Sequence, residues 1–387
     1  MTQLPLDGVR VVDITRLLPG GLATLALSDL GADVVKVELP PNGDHLRAYE
    51  PLTENGMGAL YNSLDRDKRS VVLDYRNEAG RKEFLELVKT ADVLVEGFRP
   101  GTLTKYDLDY ESLKALKPEL VYASITGYGQ TGDLRDMPSH GLNMDALAGY
   151  AEVTKTEKAD YTVVAVELQL GLPRSVLLGG LQAALGISAA LVRARSTGEG
   201  SYIDVSCWDA AVTSDPWLAF ATLNDVPTLR TYCSDNSPKL APYLTKDDEV
   251  IVLCPIEPHL WARFCAVVER PDLLPEDTEG PRVEWDEGDS ALYPEVARIM
   301  RTKTLAEWQR ILTEAGVPAS PVQSTKTALS GPVASDRELV WSDVEGLPGE
   351  RFVGPALRMN GSRGHDGRVA PAPTYGQHTE EVLGELR

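Results

Sequence analysis

The chain has 387 residues, of which 43% are hydrophobic and 25% charged, the proportions of an ordinary globular protein. Its 58 acidic and 38 basic residues give a formal net charge of −20. That balance argues against nucleic acid and against anionic membranes as partners, because both need clustered Lys and Arg. At the usual ~150 residues per domain, about two domains are expected.

The four cysteines, Cys207, Cys233, Cys254 and Cys265, form no C-x-x-C pair, so neither a zinc site nor a redox dithiol is expected. The N-terminus has no basic segment followed by a long apolar one, and no apolar run of roughly 18 residues stands out as a membrane span. A reducing cytoplasm is the expected location.

Val9 to Ile14 is a β-branched run and predicts the first strand. Leu22 to Leu30 has helical spacing, entered over Pro19-Gly20-Gly21 and stopped at Gly31. Val34 to Val37 is the next strand, so the first forty residues read as a βαβ unit with parallel pairing. Ser70 to Leu73, Val93 to Glu96 and Leu120 to Ile125 continue as strands, separated by helices at Gly80 to Lys89 and Tyr110 to Ala115. The alternation predicts an α/β fold, a Rossmann-like open parallel sheet with helices on both faces.

Gly179 to Ala194 predicts a long uncharged helix, buried against the sheet or a second subunit, and Tyr202 to Val205 another strand. From about 225 to 330 the character changes to polar loops (234–239), acid-rich loops (276–287) and short amphipathic helices near 260–268 and 305–315. This predicts a large domain of residues 1–224, to which 331–387 return, and a smaller α+β domain of residues 225–330.

Gly127-Tyr128-Gly129-Gln130-Thr131-Gly132 spells G-x-G-x-x-G. It follows a late strand rather than the first, and Asp133 to Pro138 after it is loop-like. Both facts argue for a close-packed turn and against a nicotinamide cofactor.

Several segments together resemble one family. They are Leu6 to Asp13, Leu30 to Glu38, Asp67 to Asp74, Ala91 to Gly101, Ser124 to Gly132, Gly198 to Ser206 and Gly376 to Leu383. Ser124 to Gly132 is similar to the S-x-x-G-aromatic-G-Q-x-G segment of family III CoA-transferases (the CaiB/BaiF type), a group that includes the α-methylacyl-CoA racemases. The resemblance implies an interlocked homodimer. It also implies coenzyme A or an acyl-CoA as substrate moiety on the Rossmann-like domain, with no metal. Leu17, Leu73, Arg76, Arg99, Lys105 and Tyr106 fall where the family touches CoA. Arg76, Arg99 and Lys105 supply the cationic donors that phosphates need. The Arg that commonly follows the second strand's Glu in the family is Leu39 here.

The catalytic positions are where this chain departs from the family. The resemblance aligns Ser175 with the family's essential Asp, which forms a mixed anhydride and then a CoA thioester in transferases and acts as a base in racemases. His140, in Ser139-His140-Gly141-Leu142-Asn143, resembles the racemase base, with Gly141 in place of the acid that follows it. Glu257, in Glu257-Pro258-His259-Leu260-Trp261, resembles the glutamate that supports that base; as a residue before a proline it also suits a helix cap. Arg174 could bind a substrate carboxylate or phosphate. Three functions follow. The first is an acid–base enzyme, of isomerase, racemase, lyase or cyclase type, with His140 abstracting a proton beside an activated carbonyl. The second is a CoA-transferase using another carboxylate, Glu167 or Asp145. The third is an inactive family member serving as a binding subunit.

Overall fold

The computed structural model describes residues 4–150, 152–157, 162–167, 171–226, 238–274, 292–342, 349–363 and 369–387. Cys233 and the acid-rich loop 276–287 lie outside them. The chain forms two compact units, Met1–Phe220 with Asp336–Arg387, and Ala221–Ser335.

The first unit runs β1 (Arg10–Asp13), α1 (Leu18–Asp29), β2 (Asp33–Glu38), α2 (Ala59–Leu64), β3 (Arg69–Val72), α3 (Glu78–Thr90), β4 (Val93–Glu96), α4 (Tyr110–Leu116) and β5 (Val121–Thr126). It continues through α5 (Gly141–Leu147), a hairpin of β6 (Glu152–Glu157) and β7 (Thr162–Glu167), α6 (Arg174–Thr197), β8 (Ser201–Ser206), α7 (Cys207–Thr213) and most of α8 (Pro216–Leu223). Six strands pair in parallel in the order β3-β2-β1-β4-β5-β8. The direction of strand addition reverses between β1 and β4, which places the ligand crevice of such sheets at the carboxyl ends of those two strands.

The period-two alternation of the strands builds two cores. Val11, Val34, Val95 and Ile125 face α1 and α6, meeting Ala23, Leu27, Ala183 and Ile187. Val12, Val35, Leu94 and Tyr122 face the other way, onto Phe84 and Leu87 of α3 and Leu113 of α4. The glycine pair in α6 is a packing requirement. A Cβ on Gly180 would lie 2.7 Å from the Leu22 side chain and 2.8 Å from the Pro19 carbonyl, and one on Gly179 would lie 2.5 Å from Cys207 Sγ.

Two helices begin earlier than the sequence suggests. α1 starts at Leu18, because Pro19 fits the first helical turn, where its missing N–H costs nothing. α6 starts at Arg174, five residues before Gly179, and is the one described helix whose length and composition would suit a membrane span. One side of it lies in the core through Val176, Ala183, Ile187 and Leu191, as expected of a central helix packed on a sheet.

The second unit holds β9 (Ala241–Leu244), β10 (Val250–Leu253), α9 (Pro258–Val267), α10 (Leu292–Met300), α11 (Leu305–Glu314), β11 (Ala319–Pro321), α12 (Thr325–Ser330) and most of α13 (Pro332–Asp336). Its three-stranded antiparallel sheet, β11-β10-β9, covers a core of Trp261, Phe264, Trp308 and Ile251. The chain then returns to the first unit with β12 (Val340–Trp341), β13 (Phe352–Val353) and α14 (Thr379–Gly384). The C-terminal segment docks on the outer strand β3: Gly376 N–H donates to Ser70 Oγ (2.9 Å) and Ser70 N–H to His378 Nδ1 (3.1 Å).

Candidate active site

The turn from β1 to α1 opens at the carboxyl edge of the sheet, beside the switch point. Leu17 has φ 64° and ψ −154°, a region populated essentially by glycine, at a cost on the order of 1–3 kcal/mol. A buried polar chain holds it there. Leu17 N–H donates to both oxygens of Asp44 (3.3 and 3.2 Å), and Lys36 Nζ binds Asp44 (3.1 Å) and the Thr15 carbonyl (3.3 Å). Asp44 N–H donates to Glu38 Oε1 (3.0 Å), and Arg47 grips both Glu38 oxygens (2.8 and 2.5 Å). Burial works against the Glu38 anion, yet the hydrogen bonds and charge of Arg47 hold its carboxyl below the usual range. Leu39, which stands where the family commonly has Arg, is a core residue packed with Val37 and Leu73.

The residues aligned with the family's CoA contacts collect around this edge. Leu17 follows β1, Leu73 follows β3, and Arg99 lies on the exposed loop after β4. Lys105 and Tyr106 form a single helical turn, Leu103–Tyr106, with Tyr106 edge-on to Tyr75 at 6.5 Å. Arg76 is exposed and engaged locally, with its guanidinium on Asp74 at 2.7 and 3.0 Å.

A second cluster forms where α5 meets α6, on the opposite face of the sheet from α3 and α4. His140 is exposed and precedes α5 as its N-cap residue; its N–H donates to Asn143 Oδ1 (2.9 Å). Ser175 is fully buried in the first turn of α6, and its hydroxyl donates to the Gly141 carbonyl (3.3 Å). Asp145 reaches across from α5 and caps α6: Oδ2 accepts Arg174 N–H (2.9 Å) and Oδ1 accepts Ser175 N–H (2.8 Å). Two of the otherwise orphaned amides of the helix start are satisfied in this way, and the anion sits at the positive end of the helix. Gly141 has no room for a larger side chain, since a Cβ would lie 2.4 Å from Pro173 and 2.9 Å from Val176. The Arg174 guanidinium lies 4.2 Å from the centre of the Tyr150 ring. No Asp or Glu occurs between Leu168 and Thr197, so the α6 segment holds no carboxylate in any register of the alignment.

Sequence reasoning missed Glu96. It ends an otherwise apolar strand, accepts Phe98 N–H (2.7 Å) and is hydrogen-bonded to Ser124. Burial pushes its carboxyl up to about 7, and the negative charge of Asp204 adds to the rise. Glu96 lines a cavity of about 400 Å³ together with Arg99, Tyr110, Tyr122, Ser124 and Tyr202. The legible signal was a lone acid closing a run of Val and Leu.

Glu257 belongs to the second unit and is described there by itself. It is half-buried and takes the N-cap position of α9, where its side chain makes no capping bond and its carbonyl accepts Leu260 and Trp261 N–H (2.9 and 3.0 Å). Glu167 lies on β7, and its side chain is outside the described part of the structure.

Comparison with known proteins fits this architecture end to end. A CaiB/BaiF family protein from Brucella suis superposes with a TM-score of 0.80 at 26% identity, covering all of both chains. The succinyl-CoA:mesaconate CoA-transferase of Haloarcula marismortui is 33% identical, over 98% of this chain and 96% of the relative. The succinate–glutarate CoA-transferase of Agrobacterium fabrum is 31% identical, over 99% of this chain and 96% of the relative. The profile of CoA-transferase family III matches residues 6–379. With the six-stranded parallel sheet and relatives matched along nearly their whole length, the chain belongs to CoA-transferase family III.

Proposed function

We propose that the protein is a CoA-transferase that moves CoA between carboxylic acids, with short dicarboxylates such as succinate as the first substrates to try. The observation that carries this reading is the full-length similarity to transferases, 33% identity over 98% of the chain in one case. It reverses the order that the residues alone suggested. The acid–base reading, built on His140 and Glu257, becomes the alternative, since the relatives described above are all transferases where their names state an activity.

The chemistry balances without an oxidant or a net proton. The acceptor carboxylate attacks the thioester carbonyl, a C–O bond forms, the C–S bond breaks, and CoA leaves as the thiolate. The thiolate then attacks the other carbonyl of the resulting anhydride and releases the first acid. In the family an enzyme carboxylate takes part in this relay, and α6 offers none here. Asp145 spends both oxygens on backbone amides and is 3% exposed, which makes it a poor nucleophile. Ser175 is buried with its hydroxyl donating to the Gly141 carbonyl, and the Asp145 carboxylate beside it is bonded to backbone amides rather than to that hydroxyl, so nothing there activates it. Direct attack by the bound acceptor acid therefore suits this site better than a covalent acyl-enzyme. In this reading His140, at the exposed lip ahead of α5, hydrogen-bonds the acceptor carboxylate, and Arg99 and Lys105 bind CoA phosphates. A homodimer in the cytoplasm remains the proposed state.

Initial-rate kinetics with an acyl-CoA and a second acid test the reading. Intersecting double-reciprocal lines are expected from a ternary complex. Parallel lines, or a mass adduct on Asp145, Glu167 or Ser175 after incubation with acyl-CoA, contradict the direct route. Absence of any transfer across a panel of acids contradicts the function.

A further inference from the structure

The strained turn between β1 and α1 carries one residue that no motif explained. Arg16 stands between the two backbone groups that the buried ion pair holds, the Thr15 carbonyl on Lys36 and the Leu17 N–H on Asp44. Its guanidinium lies 5.7 Å over the Phe98 ring, and among the described residues no carboxylate is paired with it. Phe98 is on the same loop as Arg99. The grip is redundant on every side. Thr15 is tied by its own N–H and hydroxyl to Asp13 (2.8 and 2.6 Å), and Asp44 also accepts Leu46 N–H (3.0 Å). Glu38 and Arg47 brace Asp44 from behind, and the C-terminal segment closes over them, with Arg47 donating to the Pro373 carbonyl (2.9 Å). A residue persists in a glycine-only conformation when its surroundings over-determine it, and such strain gathers at functional sites.

We propose that the Lys36–Asp44 pair is a clamp on this turn, and that the clamp presents Arg16 as a further phosphate-binding residue for the CoA moiety. The inference rests on the transferase reading for the identity of the ligand, but not for the clamp. Arg16 supplies what the site otherwise lacks on this side. It is a guanidinium with no carboxylate partner among the described residues, at the carboxyl end of β1, on a sheet whose second strand is followed by Leu39 rather than the arginine the family commonly has there. Lys36 and Asp44 are positioning residues, since they act through the backbone on either side of Arg16 and are themselves fully enclosed.

The test is calorimetric titration of CoA into the full-length protein, with melting temperatures measured alongside. Arg16→Ala is expected to lose about tenfold in affinity, the usual size of a charge-assisted bond to phosphate, and Arg16→Lys to recover part of it. Leu17→Gly relaxes the turn, because glycine adopts φ 64° freely. It is expected to melt no lower than the wild type, although it loses a half-buried leucine, and yet to bind CoA more weakly. A residue of merely structural value would lower the melting temperature together with the affinity. Wild-type affinity in Arg16→Ala overturns the assignment of Arg16. A lower melting temperature in Leu17→Gly, whatever its affinity, overturns the clamp. If the wild type binds no CoA, both the transferase reading and the ligand of Arg16 fail, while the melting temperature of Leu17→Gly still decides the clamp by itself.

Discussion

Glu96 is the residue where burial and chemistry diverge most. The residue is 5% exposed, its carboxyl receives Phe98 N–H and has no cation paired with it among the described residues, so desolvation dominates and lifts it to about 7. Among charges on neighbouring elements, Asp204 on β8 reinforces the rise, while Arg99, Asp109 and Glu111 line the same cavity. A carboxyl whose folded value is raised binds its proton more tightly in the native state. Stability is therefore full below about 4.5 and falls as the pH rises to about 7. Glu96→Gln keeps an acceptor for Phe98 N–H and has no charge to bury. It is expected to flatten this slope and to melt higher than the wild type at pH 8. Denaturant unfolding of both proteins at pH 5 and pH 8 checks it, and parallel pH profiles would rule the assignment out. The sequence showed the acid closing an apolar strand but not its burial, because a terminal acid on such a strand reads equally well as a residue pointing to solvent.

At the scale of elements, α6 shows how a tertiary contact fixes a boundary that local signals miss. The glycine pair and the uncharged run suggest a start at Gly179, and no N-cap residue precedes Arg174 in the chain. The cap is Asp145, which lies 29 residues away from Arg174 and is brought in by α5. Asp145→Asn keeps one acceptor and loses the charge. It is expected to destabilise the protein by about 1–3 kcal/mol while turnover stays within about tenfold. Abolished turnover in a folded Asp145→Asn protein would instead make Asp145 the acyl carrier. Ser175→Asp, which installs the acid that the resemblance expects, is predicted to destabilise further, because it would bury a second carboxylate beside Asp145. Thermal melts of the two variants against wild type decide this. The first βα unit was legible because its strand, proline-entered helix and glycine stop all lie in sequence order. The hairpin of β6 and β7 was not, since β6 is mostly charged and polar and only the short run Val163 to Val166 of β7 carries a strand signal.

At the scale of the whole molecule, the α/β class and the family were legible from motif order alone, and the catalytic chemistry was not. Motif order records the scaffold, whereas the reaction depends on one or two side chains, and the resemblance alone aligns Ser175 and Gly141 with positions where the family has acids. The outward side of α6 carries Leu181, Leu185 and Val192, 57%, 64% and 71% exposed, a stripe too apolar for a solvent face. On the proposed homodimer this stripe is covered. Sedimentation at micromolar concentration is expected to show a single dimeric species, and a stable folded monomer would contradict it. The central claim is CoA transfer without a carboxylate on α6. The most direct measurement incubates the enzyme in D2O with an acyl-CoA and an isotopically labelled carboxylic acid, and follows both by mass spectrometry. The account predicts label in the thioester pool and no deuterium at the α-carbon. Deuterium at the α-carbon, with no label crossing into the thioester, would contradict it and restore the acid–base reading.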